Sequence, residues 1–471
     1  MPELSEEIAF ASVREIGKQL RANEYSCVEL AQFFLNRVKT IGSKLNAVAT
    51  LTEELAIQQA EQADRELKEG KDRGLLHGIP YGAKDLLATK DIPTSWGAAP
   101  FRERIIDADA TVVARLREAG AVLVGKLAMV EIAGGLGYRQ ANASFTGPGL
   151  NPWDSSRWSG GSSSGPGSAV GGGLVPFAIG SETWGSIMTP AAFCGISGLR
   201  PTYGRVSRHG AMALAWTVDK LGPMCRTADD CGIVLQAISG ADPLDASCVD
   251  RAYEYPSETK SDATYKLATL KDSAKHVQPE IRENYEASLD VLRDFCTIED
   301  VELPDFPWTT VPSTLINCES AAAFEGLITT GDIWEMTAEE DHWGIHAAMV
   351  IPAKDYINAM RIRSKMQRAI DRFLKPFDAV VTPTLATVAY PNEESWSKYR
   401  KGFRSTQITH LGGAGAATGI PALSIPNGSG EGGLPTGLQL AGRAFSENSL
   451  IEIANRYQAV TAFHRETPKP L

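Results

Sequence analysis

Residues 160–204 read GGSSSGPGSAVGGGLVPFAIGSETWGSIMTPAAFCGISGLRPTYG, and the fold turns on how this stretch is understood. The overlapping run 155–173, SSRWSGGSSSGPGSAVGGG, is almost entirely small, a composition that by itself describes a flexible linker. Its flank argues otherwise. LVPFAIG is apolar and would be an odd neighbour for a solvated tether, so the glycines are read as permitting close backbone approach at a site. Further on, Gly180-Ser181-Glu182-Thr183-Trp184-Gly185-Ser186-Ile187 has the composition of a turn. Curled around a glycine, its successive N–H groups would point at one oxygen and form an oxyanion hole, with Ser186 beside it.

Outward from this stretch the pattern is α/β. Upstream, Ser26-Cys27-Val28-Glu29 has the spacing of a capping box, and Leu30, Phe33, Phe34, Val38 and Ile41 then recur on one face. Residues 52–69 are strong helix formers that stop before Gly70. From Gly74 short apolar runs are broken by Gly and Pro; Asp109 to Ala119 reads as a helix and AVLVG as a buried strand. Downstream, DAVVTPT and GLPTGLQLAG read as strands and SLIEIANRYQAVTAFH as a closing amphipathic helix. The expected organisation is one domain over 1–471: a helical part at 1–70, a core at 74–240, a more charged, helical insertion or cap at 250–375, and a return to the core at 376–471.

Elimination narrows the chemistry. No GxSxG elbow is present, and no His stands in a context resembling a hydrolase triad, so a serine nucleophile here needs another base. Lysine serves if burial leaves it as the neutral amine. Lys84, in Gly78-Ile79-Pro80-Tyr81-Gly82-Ala83-Lys84-Asp85, is the candidate; the bland reading of the same octapeptide is a surface lysine paired with Asp85. A second hydroxyl from Gly160-Gly161-Ser162-Ser163-Ser164 would bridge Ser186 to Lys84, giving a Ser-Ser-Lys chain. Cys194, in apolar PAAFCG, reads as a packed thiol, and His77 as a loop residue or a support rather than a base. Seven His without HxH or HExxH spacing give a metal hydrolase no support, and no metal is expected.

These motifs carry a resemblance. Residues 160–204 look like the signature region of the amidase signature family, GIPYGAKD resembles its lysine motif, and GIPALSIP (Gly419–Pro426) with GLPTGLQLAGR (Gly433–Arg443) is similar to its ending. The likeness spans most of the chain in the right order. It implies a single large α/β domain with a mixed central β-sheet surrounded by α-helices. It also implies a triad of Lys84, Ser162 and Ser186, a cis peptide at Ser162, an oxyanion hole from the N–H groups of Thr183, Trp184, Gly185 and Ser186, and no cofactor. Ser163 and Ser164 are placed outside the relay. Tyr138 and Trp184 either line the substrate pocket or belong to the core; both readings stay open. The chain departs from the family where Trp184 replaces the first of two glycines, where Met188 replaces the Arg after Ser-Ile, and where GKLAMVEI lacks the Asn of the usual GKxNxxEF.

The implied activity is cleavage of a small-molecule amide, anilide or carbamate through a serine acyl intermediate by a stand-alone amidase. The first alternative is the glutamine-hydrolysing subunit of a tRNA-dependent amidotransferase. Two segments associated with that branch, SRxDGVRYG-like and DIFT-like, find no counterpart in AMRIRSKMQRAI or STQITHLGGAGAATGIPA. The second is a catalytically silent binding protein on the same fold, against which the three triad residues argue. A formal charge of -11 and the lack of a Lys/Arg run speak against nucleic acid as a partner. No stretch is long enough to span a bilayer, the start MPELSEEIAF lacks the basic and apolar character of a secretory signal, and seven scattered Cys form no CxxC pair. A cytoplasmic monomer or homodimer is the expectation.

Overall fold

Local chemistry starts the helices where the sequence places them. Ser26 accepts a hydrogen bond from Glu29 N–H and Glu29 accepts one from Ser26 N–H, opening the helix Cys27–Arg37, whose Leu30, Phe34 and Leu35 are buried. Ser12 and Glu15 do the same for Val13–Arg21. The helix Glu53–Lys68 turns Ala56, Ala60 and Ala63 inward beneath an otherwise polar surface. The structure, a computed structural model, describes residues 4–256 and 263–469.

The apolar runs between Gly and Pro become strands of one sheet. Among the described residues these are β1 (Val48–Leu51), β2 (Pro80–Lys84), β3 (Val122–Leu127), β4 (Phe177–Glu182), β5 (Ser197–Arg200), β6 (Lys220–Cys225), β7 (Tyr265–Leu270), β8 (Cys296–Val301), β9 (Ala379–Pro383), β10 (Ala422–Ser429) and β11 (Pro435–Ala441). Their order is β1-β3-β2-β4-β6-β5-β10-β11-β9-β7-β8. The sheet is mixed: β3, β2 and β4 run parallel, as do β9, β7 and β8, while β4 to β9 alternate through antiparallel pairs. Every residue of β2, β3 and β4 is buried, as expected for central strands covered on both faces. The result is a single α/β domain, a large mixed sheet surrounded by helices.

Residues 250–375, anticipated as a helical insertion or cap, carry several helices but also β7 and β8, which extend the sheet beyond β9. β8 is an edge strand with Glu299 and Asp300 exposed, so its composition lacks the apolar run that marks the inner strands. The small-residue run contains a fully buried helix, Ser164–Gly171. A Cβ at Gly165 would stand 2.5 Å from the backbone N and O of Ala128 and the O of Ala47, so only glycine lets this helix lie against the end of β3.

Gly165→Ala should therefore destabilise the protein, at or above the upper end of the ~1–3 kcal/mol typical of overpacked cores. Gly326→Ala, in the helix Glu325–Thr330 where an added Cβ meets nothing within 4 Å, should raise stability by up to ~1 kcal/mol. Opposite shifts in the thermal midpoints of the two variants are the outcome expected.

Candidate active site

Parallel pairing of β2 with β4 sets the site. Tyr81, Gly82 and Ala83 stand opposite Phe177, Ala178 and Ile179, so both strands end at the same edge of the sheet. There β2 delivers Lys84, its last residue, and β4 runs into the turn that carries Ser186. Ligand sites of α/β sheets sit at such carboxyl ends. The buried helix Ser164–Gly171 supplies the third side: Ser162 and Ser163 immediately precede it, and the Gly161–Ser162 peptide is cis.

Lys84 has no solvent exposure. Its Nζ lies 2.8 Å from Ser162 Oγ, 3.0 Å from Ser163 Oγ and 2.8 Å from Ser181 Oγ. Burial holds its pKa well below the ordinary lysine value, against the opposing pull of the Asp219 and Glu182 carboxylates. The surface pairing with Asp85 does not form; Asp85 turns instead to Lys126 Nζ at 3.1 Å and accepts from Ser95 N–H at 3.0 Å. Ser163, expected to stand outside the relay, is within hydrogen-bond reach of Lys84. So is Ser181, which the sequence reading passed over. Position in β4 is the signal that could have found it, since Ser181 stands one residue before the strand's last, on the strand beside Lys84's own.

Ser186 is almost buried, at 7% exposure, in the turn after β4. Its hydroxyl and that of Ser162 are not hydrogen-bonded to one another among the described residues; the backbone joins the two segments, Ser163 N–H donating to Ser186 C=O at 3.3 Å. Gly185 has φ +82, the left-handed bend that curls the turn. Among the described residues no protein acceptor engages the N–H groups of Thr183, Trp184, Gly185 or Ser186, whereas those of Ile187 and Met188 both donate to Glu182 Oε2, at 2.8 and 3.0 Å. Glu182 Oε1 in turn pairs with Arg200 at 2.7 Å, both groups being buried. Burial alone would raise the Glu182 pKa, yet Arg200 and Lys220 hold it below the ordinary carboxylate value. Thr183 is fixed separately, its hydroxyl donating to Asp219 at 2.6 Å.

A cavity of about 340 Å³ opens over this turn and reaches Gly161, Trp184, Gly185 and Met188. Tyr138 and Trp184 both line it, joined by Trp158, Tyr390 and Trp396, which no local motif announces. Trp158 and Trp396 stack with centroids 4.5 Å apart, and Tyr138 meets Trp396 edge-on at 4.8 Å. Met188, in the place of the family's Arg, is one wall. Cys194 is fully buried with Sγ 3.3 Å from Ser159 C=O, and burial pushes its thiol pKa up. His77 sits against Glu66 and Arg73, away from the cavity lining. Among the described residues no group of three or more His, Cys, Asp or Glu is placed to hold a metal ion. Among them, too, no helix is long and apolar enough to cross a membrane.

Comparison with known proteins places this arrangement. A glutamyl-tRNA(Gln) amidotransferase subunit from Methylococcus capsulatus is 34% identical over 97% of this chain and 98% of its own length. The peptide amidase of Stenotrophomonas maltophilia superimposes with a TM-score of 0.83 at 30% identity, covering 98% of both chains. A chain from the vestigial protein complex described as revealing the evolutionary origins of an s-triazine catabolic enzyme superimposes at 0.88, with 26% identity over 95% of this chain and 98% of that one. Residues 29–451 match the family described as Amidase, to which this chain belongs.

Proposed function

We propose that this amidase-family hydrolase cleaves the carbon–nitrogen bond of a small-molecule amide through an acyl intermediate on Ser186. The observation that carries the reading is a buried amine, Lys84, within hydrogen-bond reach of Ser162, beside a turn whose four N–H groups at Thr183–Ser186 meet no protein acceptor among the described residues. In this mechanism neutral Lys84 takes the Ser162 proton while Ser162 takes that of Ser186, whose Oγ bonds to the carbonyl carbon. The negative charge moves onto the carbonyl oxygen and is held by the four N–H groups. As the C–N bond breaks, the proton returns through Ser162 to the leaving nitrogen. Water then repeats the sequence on the acyl ester and frees Ser186.

A second reading keeps this chemistry and changes the setting: a subunit that hydrolyses glutamine within a tRNA-dependent amidotransferase. The curated relatives favour it, several being named as subunits of glutamyl-tRNA(Gln) amidotransferase at 33–35% identity over nearly the whole chain. The cavity favours the first reading. Glutamine presents an α-ammonium as well as a carboxylate, and the one carboxylate lining the cavity among the described residues, Glu182, is already engaged by Arg200 and two N–H groups. Hydrolysis of small amides by the purified chain alone supports the stand-alone reading. Glutamine turnover that appears only with partner subunits and charged tRNA reverses the order.

Ser186→Ala should lower turnover by at least ~10,000-fold with the thermal midpoint nearly unchanged, since it removes the attacking oxygen and little volume. A fluorophosphonate should label Ser186 and leave Cys194 unmodified, read by peptide mass spectrometry.

Activity should rise with pH through the Lys84 pKa and level off before an ordinary lysine releases its proton near 10.5, because only the neutral amine accepts the Ser162 proton and burial lowers the pKa. Lys84→Ala should cost ~100–10,000-fold in kcat, the usual span for a general base, and Lys84→Arg should not restore it because guanidinium stays protonated. A profile following a histidine pKa and vanishing in His77→Ala would overturn the assignment.

A further inference from the structure

The cavity over the turn that carries Ser186, lined there by Trp184, Gly185 and Met188, is built from two unlike halves. One is the aromatic wall of Tyr138, Trp158, Tyr390 and Trp396, continuous by ring contact. The other is cationic: Arg200, Arg400 and Arg404 line the same space. Arg200 is neutralised by Glu182, but Arg400 and Arg404 have no carboxylate within ion-pair distance among the described residues. Of the acidic groups nearby in sequence or contact, Glu393 is exposed and makes no ion pair with either arginine among the described residues, and the others are engaged elsewhere. Glu394 pairs with Lys398 at 2.9 Å, and Glu431 faces Arg157 at 3.6 Å while accepting from Tyr399 and Gln278. Arg400 is half-buried against the Tyr390 hydroxyl and Arg404 is exposed, so the pair marks the open side of the cavity.

In a chain of net charge -11, two uncompensated guanidinium groups on one cavity are not an average patch of surface. Guanidinium groups in such a place bind carboxylates by paired, charge-assisted hydrogen bonds. We infer that the substrate is an amide carrying a second, anionic group on a flat apolar body, the body against the aromatic wall at Tyr138 and Trp396 and the anion on Arg400 and Arg404. This rests on the reading of Ser186 as the nucleophile in the adjoining turn, and it adds to that reading a charge requirement. A substrate with a compensating ammonium is disfavoured, because the cavity offers that ammonium no free carboxylate.

The test uses the Ser186→Ala protein, in which binding is read without turnover, by quenching of the cavity tryptophans. Terephthalamate, a flat amide with a carboxylate, should bind about tenfold or more tighter than neutral para-toluamide at low salt, a difference typical of one charged hydrogen-bonded contact. The preference should weaken as salt rises. It should disappear when Arg400→Gln and Arg404→Gln are combined and persist when both are changed to Lys, with thermal midpoints confirming that each variant is folded. Equal or tighter binding of para-toluamide, absence of saturable terephthalamate binding, or a preference that survives the double Gln variant overturns the inference. Tighter binding of glutamine than of terephthalamate overturns it too. Fluorophosphonate labelling of the wild-type protein reads the nucleophile independently, so failure of the anion preference and failure of the Ser186 assignment are told apart.

Discussion

A lysine amine with no solvent exposure, facing three hydroxyls and, among the described residues, no carboxylate in direct contact, is disfavoured as the ammonium by burial, and the arrangement around it follows from that constraint. A neutral amine both donates and accepts hydrogen bonds, so Ser162, Ser163 and Ser181 satisfy it where an ion partner would have fixed it as ammonium. Bringing one amine to hydroxyls from two places requires three backbone segments to converge. Lys84 arrives on β2, Ser181 on β4 and the Ser162–Ser163 pair on the approach to the buried helix, which is why residues at the interfaces are so small. A bulkier residue at Gly165 would lift that helix off the end of β3, and a Cβ at Gly180 would stand 3.1 Å from Ser163 Oγ.

The second constraint is the turn beyond β4. Among the described residues its N–H groups at 183–186 meet no protein acceptor, while the two that follow are tied to Glu182, and Glu182 is tied to Arg200. A buried ion pair of this kind contributes little net stability, since desolvation offsets most of the attraction, but removing one partner strands the other at roughly 3–5 kcal/mol. Its value here is geometric. Glu182 ends β4 and Arg200 ends β5, which pairs with β6 and β10, so the turn is tied to the end of its own strand and braced through it against β5.

How far the sequence discloses this depends on distance along the chain. Helix starts at Ser12 and Ser26 are legible because a capping box is a four-residue property. Lys84, Ser162 and Ser186 stand out as candidates because each sits in a short run of small residues with few alternatives, and a family resemblance orders them. Ser181 as a partner of Lys84 requires knowing that β2 and β4 are neighbours in parallel, a fact of topology. The aromatic wall draws on positions 138, 158, 390 and 396, and the cations on 200, 400 and 404, so no local pattern announces either. The edge strand β8 escapes for a different reason: with one side in solvent it carries the charges of a surface helix.

The same division explains why family membership and substrate stand at different depths. Strand order, buried helix and braced turn are held by backbone contacts and glycines, where substitution is costly; they place the chain beside amidotransferase subunits and a peptide amidase alike. The cavity is closed by side chains on connecting segments, whose replacement leaves the sheet untouched. Trp184 and Met188 stand where the family more often has Gly and Arg, which exchanges a small residue and a cation beside Ser186 for apolar surface. Arg400 and Arg404, which have no carboxylate partner among the described residues, stand at its open side instead. A substrate that sets its apolar body inward and its charge outward meets both changes at once.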